Sequence, residues 1–409
     1  MKAFLRKFSL KMGLRRGLKR LSTRGEGDNI AVVQVSPAFQ ANGCHVNYGD
    51  YAMTVATKQA LEKRGFHVHF KGRSESGMSK PQRLRKARLF IDLAGFVYSQ
   101  KHKSSVRSSQ AAEVTLDRVR LFKQWGAKTV IAPQTLGPFG EKNGSLAKAC
   151  SRLFDEASEL YARDSVSLAN AISLCPQIED KAKIAPDTAL VYESSKDSGS
   201  RATLENLGLV LGDRKKPVVG ITLNRQINDR DKSYLTMMER LIRLLKKRGD
   251  QVVLIPHERG RYRNERDDQF LSRSLCERTS VPGIFSDGRR TYETERDYIE
   301  GIEAAHQHLD LLVAGRFHAL IRGVAYGIPT LSVSWAHKYE NFYRGLGLEA
   351  EEHILSSNDI EEDSTGESSC AKLDRFMDKL EENASLFKEK SEQERTSCYT
   401  RFFDAICTS

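Results

Sequence analysis

Ile30-Ala31-Val32-Val33-Gln34-Val35 is a short, almost wholly apolar run rich in β-branched residues, and it reads as a strand. A Gly-containing loop follows. Then comes a helical stretch from about Asp50 to Arg64, which stops at Gly65. The alternation repeats downstream, with strands expected at Phe66–Phe70, Ala87–Leu93 and Lys128–Ala132. Helices are expected over 111–125, 144–157 and 164–173. Short β-branched runs alternating with amphipathic helices are the pattern of a doubly wound parallel sheet.

Residues 191–216 are rich in Ser, Lys, Asp and Gly and suggest a linker, after which a second βα series begins. Val218–Leu223 reads as a strand, Tyr234–Lys247 as a helix ending at Gly249, and Val252–Ile255 as a strand. Leu309–Val313 is a further strand, 317–326 a helix and Thr330–Val333 a last strand. An acidic stretch from Glu349 to Asp363 and a helical tail from 371 complete the chain. The fold class expected is therefore α/β, with two Rossmann-like lobes facing a cleft. The domains are an arm over 1–26, a first lobe over 27–195, a linker over 196–216, a second lobe over 217–348 and a tail over 349–409. Ligands of such sheets bind beyond the carboxyl ends of the strands, so the loops there hold the candidate residues.

The chain's 409 residues suit two lobes, since a single core rarely grows that large, and 39% hydrophobic with 29% charged residues is an ordinary globular balance. Seven scattered cysteines without a CxxC pair indicate neither a zinc site nor a disulfide framework, and reduced thiols in a cytosolic protein are expected. The net charge is +12, and nine of the excess cations lie in residues 1–25, where there is no acid. The remainder is only mildly basic, so nucleic acid is not an expected partner. Leu10, Leu14, Leu18 and Leu21 recur in the arm at near-helical spacing. That pattern fits a helix lying on an anionic membrane surface, a solvated tail or an organellar presequence. No apolar run is long enough to cross a membrane, and no secretory signal is expected. The expected location is cytoplasmic, with the arm as a peripheral attachment to the inner membrane face.

Four strand-end loops carry candidate chemistry. In the first, Asn47-Tyr48-Gly49-Asp50, Gly49 lets backbone approach a ligand, and Asp50 is either a proton acceptor or a helix cap. In the second, Gln134-Thr135-Leu136-Gly137-Pro138, Gln134 either hydrogen-bonds a sugar or belongs to an ordinary turn. In the third, Arg163 ends a strand just before Asp164, where it either grips a carboxylate or phosphate or pairs locally with Asp164. The fourth, Ala314-Gly315-Arg316-Phe317-His318-Ala319, sets a fixed positive charge beside a group that titrates near neutral pH, at a helix start that favours anions. Lys338 follows the next strand and adds a cation to the same rim. No Walker A, HExxH, GxSxG or GxGxxG pattern occurs, which counts against NAD and FAD.

The ordered set N-Y-G-D (47–50), Q-T-L-G-P-F (134–139), A-R-D-S (162–165), A-P-D-T (185–188), G-R-F-H-A (315–319) and Y-G-I-P-T-L-S-V with Lys338 resembles the polysaccharide pyruvyltransferase family. The likeness runs from roughly residue 30 to 350. It implies a fold similar to two-lobed GT-B glycosyltransferases and transfer of pyruvate from phosphoenolpyruvate onto two hydroxyls of one sugar, as a cyclic ketal. By that resemblance Arg163, Arg316 and His318 match donor-binding and catalytic positions, Asp50 the acidic residue of the first loop, and Lys338 the late lysine. Asn47, Gly49 and Gln134 join them as expected substrate-binding residues. One departure is that Asp92-Leu93-Ala94-Gly95-Phe96 stands where members often have a Gly-Gly pair.

The resemblance implies phosphoenolpyruvate as co-substrate, with no cofactor or metal, and a sugar or lipid-linked oligosaccharide as acceptor. Four cations, Arg163, Arg316, His318 and Lys338, suit a donor of close to three negative charges. Asp50 is the expected base for a sugar hydroxyl and His318 the expected acid. Two other functions fit a two-lobed cleft with Arg and His: a nucleotide-sugar glycosyltransferase, and a non-enzymatic protein that binds anionic glycans.

Overall fold

The computed structural model describes residues 29–35, 46–72, 84–93, 97–100, 105–141, 144–194, 204–212, 215–259, 268–285, 292–334, 336–355 and 367–408. The basic arm, residues 94–96, much of the linker and most of the acidic stretch lie outside the described residues. The chain divides into two α/β units. One takes β1 (Ile30–Val35), residues 50–192 and the chain from Arg395 onward; the other takes residues 46–49 and the stretch Glu193–Glu394.

The first unit follows β1 with α1 (Tyr48–Glu62), whose first two residues belong to the second unit together with β2 (Val46–Asn47). Next come β3 (His67–Gly72), β4 (Ala87–Leu93), α2 (Ser105–Gln124), β5 (Lys128–Gln134), α3 (Ser145–Glu156), β6 (Glu159–Ala162), α4 (Ser165–Leu174) and β7 (Ala182–Ile184). The sheet order is β3-β1-β4-β5-β6-β7, with every pair parallel. All six residues of β1 are buried, as a strand covered by helices on both faces requires. The core beneath α2 and α3 is built from Phe90, Phe122, Leu153 and Phe154, none of them exposed. Gln34 and Asp92, at the carboxyl ends of β1 and β4, are fully buried and satisfied: Gln34 donates to Asp92 at 2.5 Å and to Thr115 at 2.8 Å, and Tyr98 donates to Asp92 at 2.7 Å.

The second unit runs β8 (Val218–Thr222), α5 (Arg225–Arg230), α6 (Tyr234–Arg248), β9 (Gln251–Leu254), β10 (Glu258–Arg259), α7 (Asp268–Thr279), α8 (Tyr292–His306), β11 (Leu311–Ala314) and α9 (Phe317–Ala325). It continues through β12 (Thr330–Val333), α10 (Lys338–Gly345), α11 (Ala350–His353), β13 (Ile354–Leu355), α12 (Glu367–Asp378) and α13 (Leu380–Cys398). Its parallel sheet has the order β13-β12-β11-β8-β9. From β8 the chain steps outward to β9 and then returns to β11 on the other side, so strand order reverses between β8 and β11. Open α/β sheets bind ligands outside the strand ends at such a reversal. Gly249 closes α6 with φ +94°, a conformation glycine adopts without a Cβ penalty.

Most strands and helices match their sequence expectations within two or three residues. Short edge strands and polar helices do not. β7 and β13 have three and two residues and carry no readable alternation. α5, α7 and α8 were not anticipated, and α2 begins at Ser105 rather than 111. The last turns return to the first unit, where Phe402 packs edge-on against Tyr161 at 5.0 Å and Lys128 donates to the carbonyl of Ala405 at 3.2 Å.

Candidate active site

The reversal between β8 and β11 is knitted at the backbone. Gly315 donates its N–H to the carbonyl of Thr222 at 2.9 Å, and the Asn224 side chain donates to the carbonyl of Gly315 at 2.8 Å. A Cβ on Gly315 would fall 2.5 Å from the Thr222 oxygen, so only glycine fits where the two loops meet. Arg316 then takes the N-cap position of α9 in extended backbone, without a side-chain cap bond. Its side chain therefore leaves the helix axis.

That guanidinium, the fixed positive charge expected at residue 316, is compensated by acids. Nε donates to Asp268 Oδ2 at 2.8 Å and Nη2 to Oδ1 at 2.6 Å, a two-pronged pair, and Glu258 Oε2 lies 2.5 Å from Nη2. The physical reason is burial: the Arg316 side chain is 13% exposed and Asp268 is 0% exposed, and a buried charge persists only when paired. Asp268 also accepts the backbone N–H groups of Arg225 and Glu258, both at 3.1 Å. One carboxylate thus joins the starts of α5, α7 and α9 to β10. Burial pushes the Asp268 carboxyl up to about 6, against the pull of Arg316. Burial alone would lower the Arg316 guanidinium, but Asp268 and Glu258 outweigh it and raise it. Among the described residues, Nη1 is the edge of Arg316 left for a ligand.

His318 lies over the first loop. A Cβ added to Gly49 would fall 1.9 Å from His318 Nδ1, so the imidazole packs directly on the Gly49 backbone. β2 pairs antiparallel with β10, Asn47 opposite Glu258, and Tyr48 donates its N–H to the carbonyl of His257 at 3.1 Å. Asn47 Oδ1 accepts the N–H of Gly49 at 3.0 Å. The helix is therefore capped by Asn47, not by Asp50, which sits half-buried in its first turn. The Lys338 ammonium lies 5.1 Å from the ring centre of Phe317, the residue between Arg316 and His318. Within the second unit the fold thus collects Asn47, Gly49, Arg316, His318 and Lys338.

The other two candidates, Gln134 and Arg163, neighbour each other in the first unit. Arg163 donates its N–H to the carbonyl of Gln134 at 3.2 Å. Its Nη1 pairs with Asp187 Oδ2 at 3.1 Å, with side chains 4% and 1% exposed. Asp164 instead caps α4 by accepting the Ser167 N–H at 2.8 Å, so the local Arg163–Asp164 alternative is not realised. Gln134 is fully buried; its amide nitrogen donates to the Ala132 carbonyl at 3.3 Å, and its Oε1 has no partner among the described residues. Asp187 holds Arg163 as Asp268 holds Arg316. The A-P-D-T motif carried a signal for the former. Asp268, inside the Arg-rich segment 261–268, carried none that spacing could reveal. Glu258 and His257 were also missed, because a His-Glu pair after Pro256 matches no spacing rule. Among the described residues no group of three or more His, Cys, Asp or Glu is arranged to hold a metal ion, and no helix is long and apolar enough to cross a membrane.

The two parallel α/β sheets make a fold that is also found in solved structures. A UDP-forming α,α-trehalose-phosphate synthase from Burkholderia xenovorans aligns over 93% of this chain and 99% of its own, with 11% identity and TM-score 0.53. A UDP-GlcNAc 2-epimerase from Neisseria meningitidis aligns over 93% and 100%, with 9% identity and TM-score 0.49. The likeness is one of fold. No curated protein matches in sequence. The model of the family described as polysaccharide pyruvyl transferase matches residues 47–337, and the chain belongs to that family.

Proposed function

We propose that the protein transfers pyruvate from phosphoenolpyruvate onto two hydroxyls of one sugar, forming a cyclic ketal and releasing phosphate. Family membership makes it a transferase of polysaccharide biosynthesis. The observation that carries the donor and the chemistry is the Arg316 clamp beside His318. Asp268 holds the guanidinium by two bonds, so it is aimed before any ligand arrives, and Nη1 remains for an anionic oxygen. A nearly triply charged donor needs such a fixed cation, and Lys338 adds a second. Gln134 and Arg163 of the first unit are proposed as further substrate-binding residues.

In this reaction the enol C3 gains a proton, and the resulting oxocarbenium-like C2 is attacked by one sugar hydroxyl. The C2–O bond to phosphate then breaks, and the second hydroxyl closes the ketal. Two hydroxyl protons are released; one replaces the proton taken up at C3 and the other leaves on hydrogen phosphate, so the step balances. Asp50 is the proposed base for the first hydroxyl, and His318 the acid that assists C3 protonation or phosphate departure.

Phosphate release from phosphoenolpyruvate in the presence of sugar acceptors tests the function. Release of nucleoside diphosphate from a nucleotide sugar, with phosphoenolpyruvate left untouched, refutes it. Arg316→Ala and His318→Ala are each expected to lower turnover by about 100-fold or more. Near-normal turnover in both variants would remove those residues from the chemistry.

A further inference from the structure

Beside Arg316 lies a buried aromatic cluster that the proposed chemistry does not use. The Tyr48 and His257 rings are 4.4 Å apart, those of His257 and His306 5.3 Å, and those of Tyr48 and His306 6.1 Å. Tyr48 and His306 are 0% exposed and His257 is 4% exposed. His306 Nδ1 is bonded to the Ile302 carbonyl at 2.8 Å, and an N–H there leaves Nε2 as an acceptor. Four polar atoms, Tyr48 Oη, both ring nitrogens of His257 and Nε2 of His306, have no hydrogen-bond partner among the described residues. Buried polar groups are nearly always satisfied, so a group of four such atoms calls for a partner such as a water, an ion or a ligand.

We propose that His257 is a substrate-contacting residue of this site and that one of its ring nitrogens hydrogen-bonds a hydroxyl of the sugar acceptor. The inference rests on the pyruvyl-transfer reading and adds to it the group that receives the acceptor. The position comes from the fold: the His257 carbonyl binds the Tyr48 N–H, and Gly49, next along, carries the His318 ring. Complementarity chooses the ligand. Burial first, and then His306, Arg316, His318 and Arg322, hold the His257 imidazole far below its usual titration range. A neutral imidazole offers one donor and one acceptor. A hydroxyl can meet either nitrogen, because it both donates and accepts, whereas phosphate and carboxylate oxygens only accept and can meet only the protonated one. The anionic donor therefore belongs on Arg316 and the neutral acceptor on His257.

His257→Phe keeps a planar ring on Tyr48 and removes both nitrogens. The variant is expected to melt no lower than wild type, because two unsatisfied polar atoms are gone. Its KM for methyl hexopyranosides should rise about tenfold or more, the scale of one lost hydrogen bond, while phosphoenolpyruvate affinity by calorimetry stays within about twofold. An unchanged KM, or a loss of phosphoenolpyruvate affinity in its place, overturns the assignment. If the variant does not fold, the wild type decides: with 15N-labelled histidine, at least one methyl hexopyranoside must move the His257 ring nitrogens, and no movement across the panel overturns the proposal. A wild-type protein that releases no phosphate from phosphoenolpyruvate refutes the transfer reaction itself, and the same ring-nitrogen experiment still judges His257.

Discussion

Asp268→Asn probes the device that aims Arg316. Four donors converge on this carboxylate: Arg316 Nε and Nη2, and the backbone N–H groups of Arg225 and Glu258. Asparagine offers one acceptor oxygen instead of two, so about two of the four bonds are lost whichever way the amide turns. Each unmade bond costs about 1 kcal/mol. Removing one partner of a buried ion pair commonly costs ~3–5 kcal/mol. Two features soften that here. Glu258 still faces the guanidinium, at 2.5 Å from Nη2. Burial also raises the Asp268 carboxyl, so the site already disfavours its ionised form. The net loss of stability is therefore about 2 kcal/mol, read as a lower urea midpoint at unchanged slope. The functional loss is larger, since an unpinned guanidinium no longer presents Nη1: phosphoenolpyruvate affinity should fall at least about tenfold. The acid side of the activity profile should change too. In the wild type the clamp weakens as pH drops through about 6 and Asp268 takes a proton, and that limb should vanish in Asp268→Asn. A variant that keeps donor affinity within about twofold and the same acid limb would refute the idea that Asp268 aims Arg316.

Gly49→Ala should displace the whole imidazole, because the new Cβ would lie 1.9 Å from His318 Nδ1 and 2.1 Å from its Cγ; turnover is expected to fall about 10- to 100-fold and the melting temperature to drop measurably, as steady-state kinetics and calorimetry will show. Acid stability carries the sign of His306, which burial lowers from 6.5 to about 4. Its neutral form is favoured by folding, so the stability it contributes is present above about 6.5 and is lost as pH falls towards 4, by roughly 3 kcal/mol. Asp268, whose folded value is raised, works in the opposite sense between about 6 and 3.8. Urea titrations of wild type and His306→Phe across that window should show a flatter acid limb in the variant; parallel limbs would refute the assignment.

The order of strands and helices, the Gly-rich strand ends and the residues Arg316 and His318 were legible in the sequence because each is a local signal. β-branched runs, a glycine stop such as Gly249 and a cation following an apolar strand need only neighbouring residues to be seen. Gly49 was legible in kind, as a place of close approach, but what approaches it is His318, which stands 269 residues further on.

What brings those residues together is non-local. Asn47, not Asp50, caps α1, because the turn before the helix is drawn onto β10 by strand pairing with Glu258. Arg316 and Arg163 are each matched by an aspartate 48 and 24 residues away, Asp268 and Asp187. Residues that meet only in space leave no period or motif in one chain, yet burying a guanidinium demands a partner from somewhere. Amino-acid order alone determined which segments become strands and helices and which strand ends carry charge. The tertiary structure decided which acids neutralise those charges and which edge of Arg316 remains open, because charge pairing in a buried site depends on distances of a few ångströms that only folding sets.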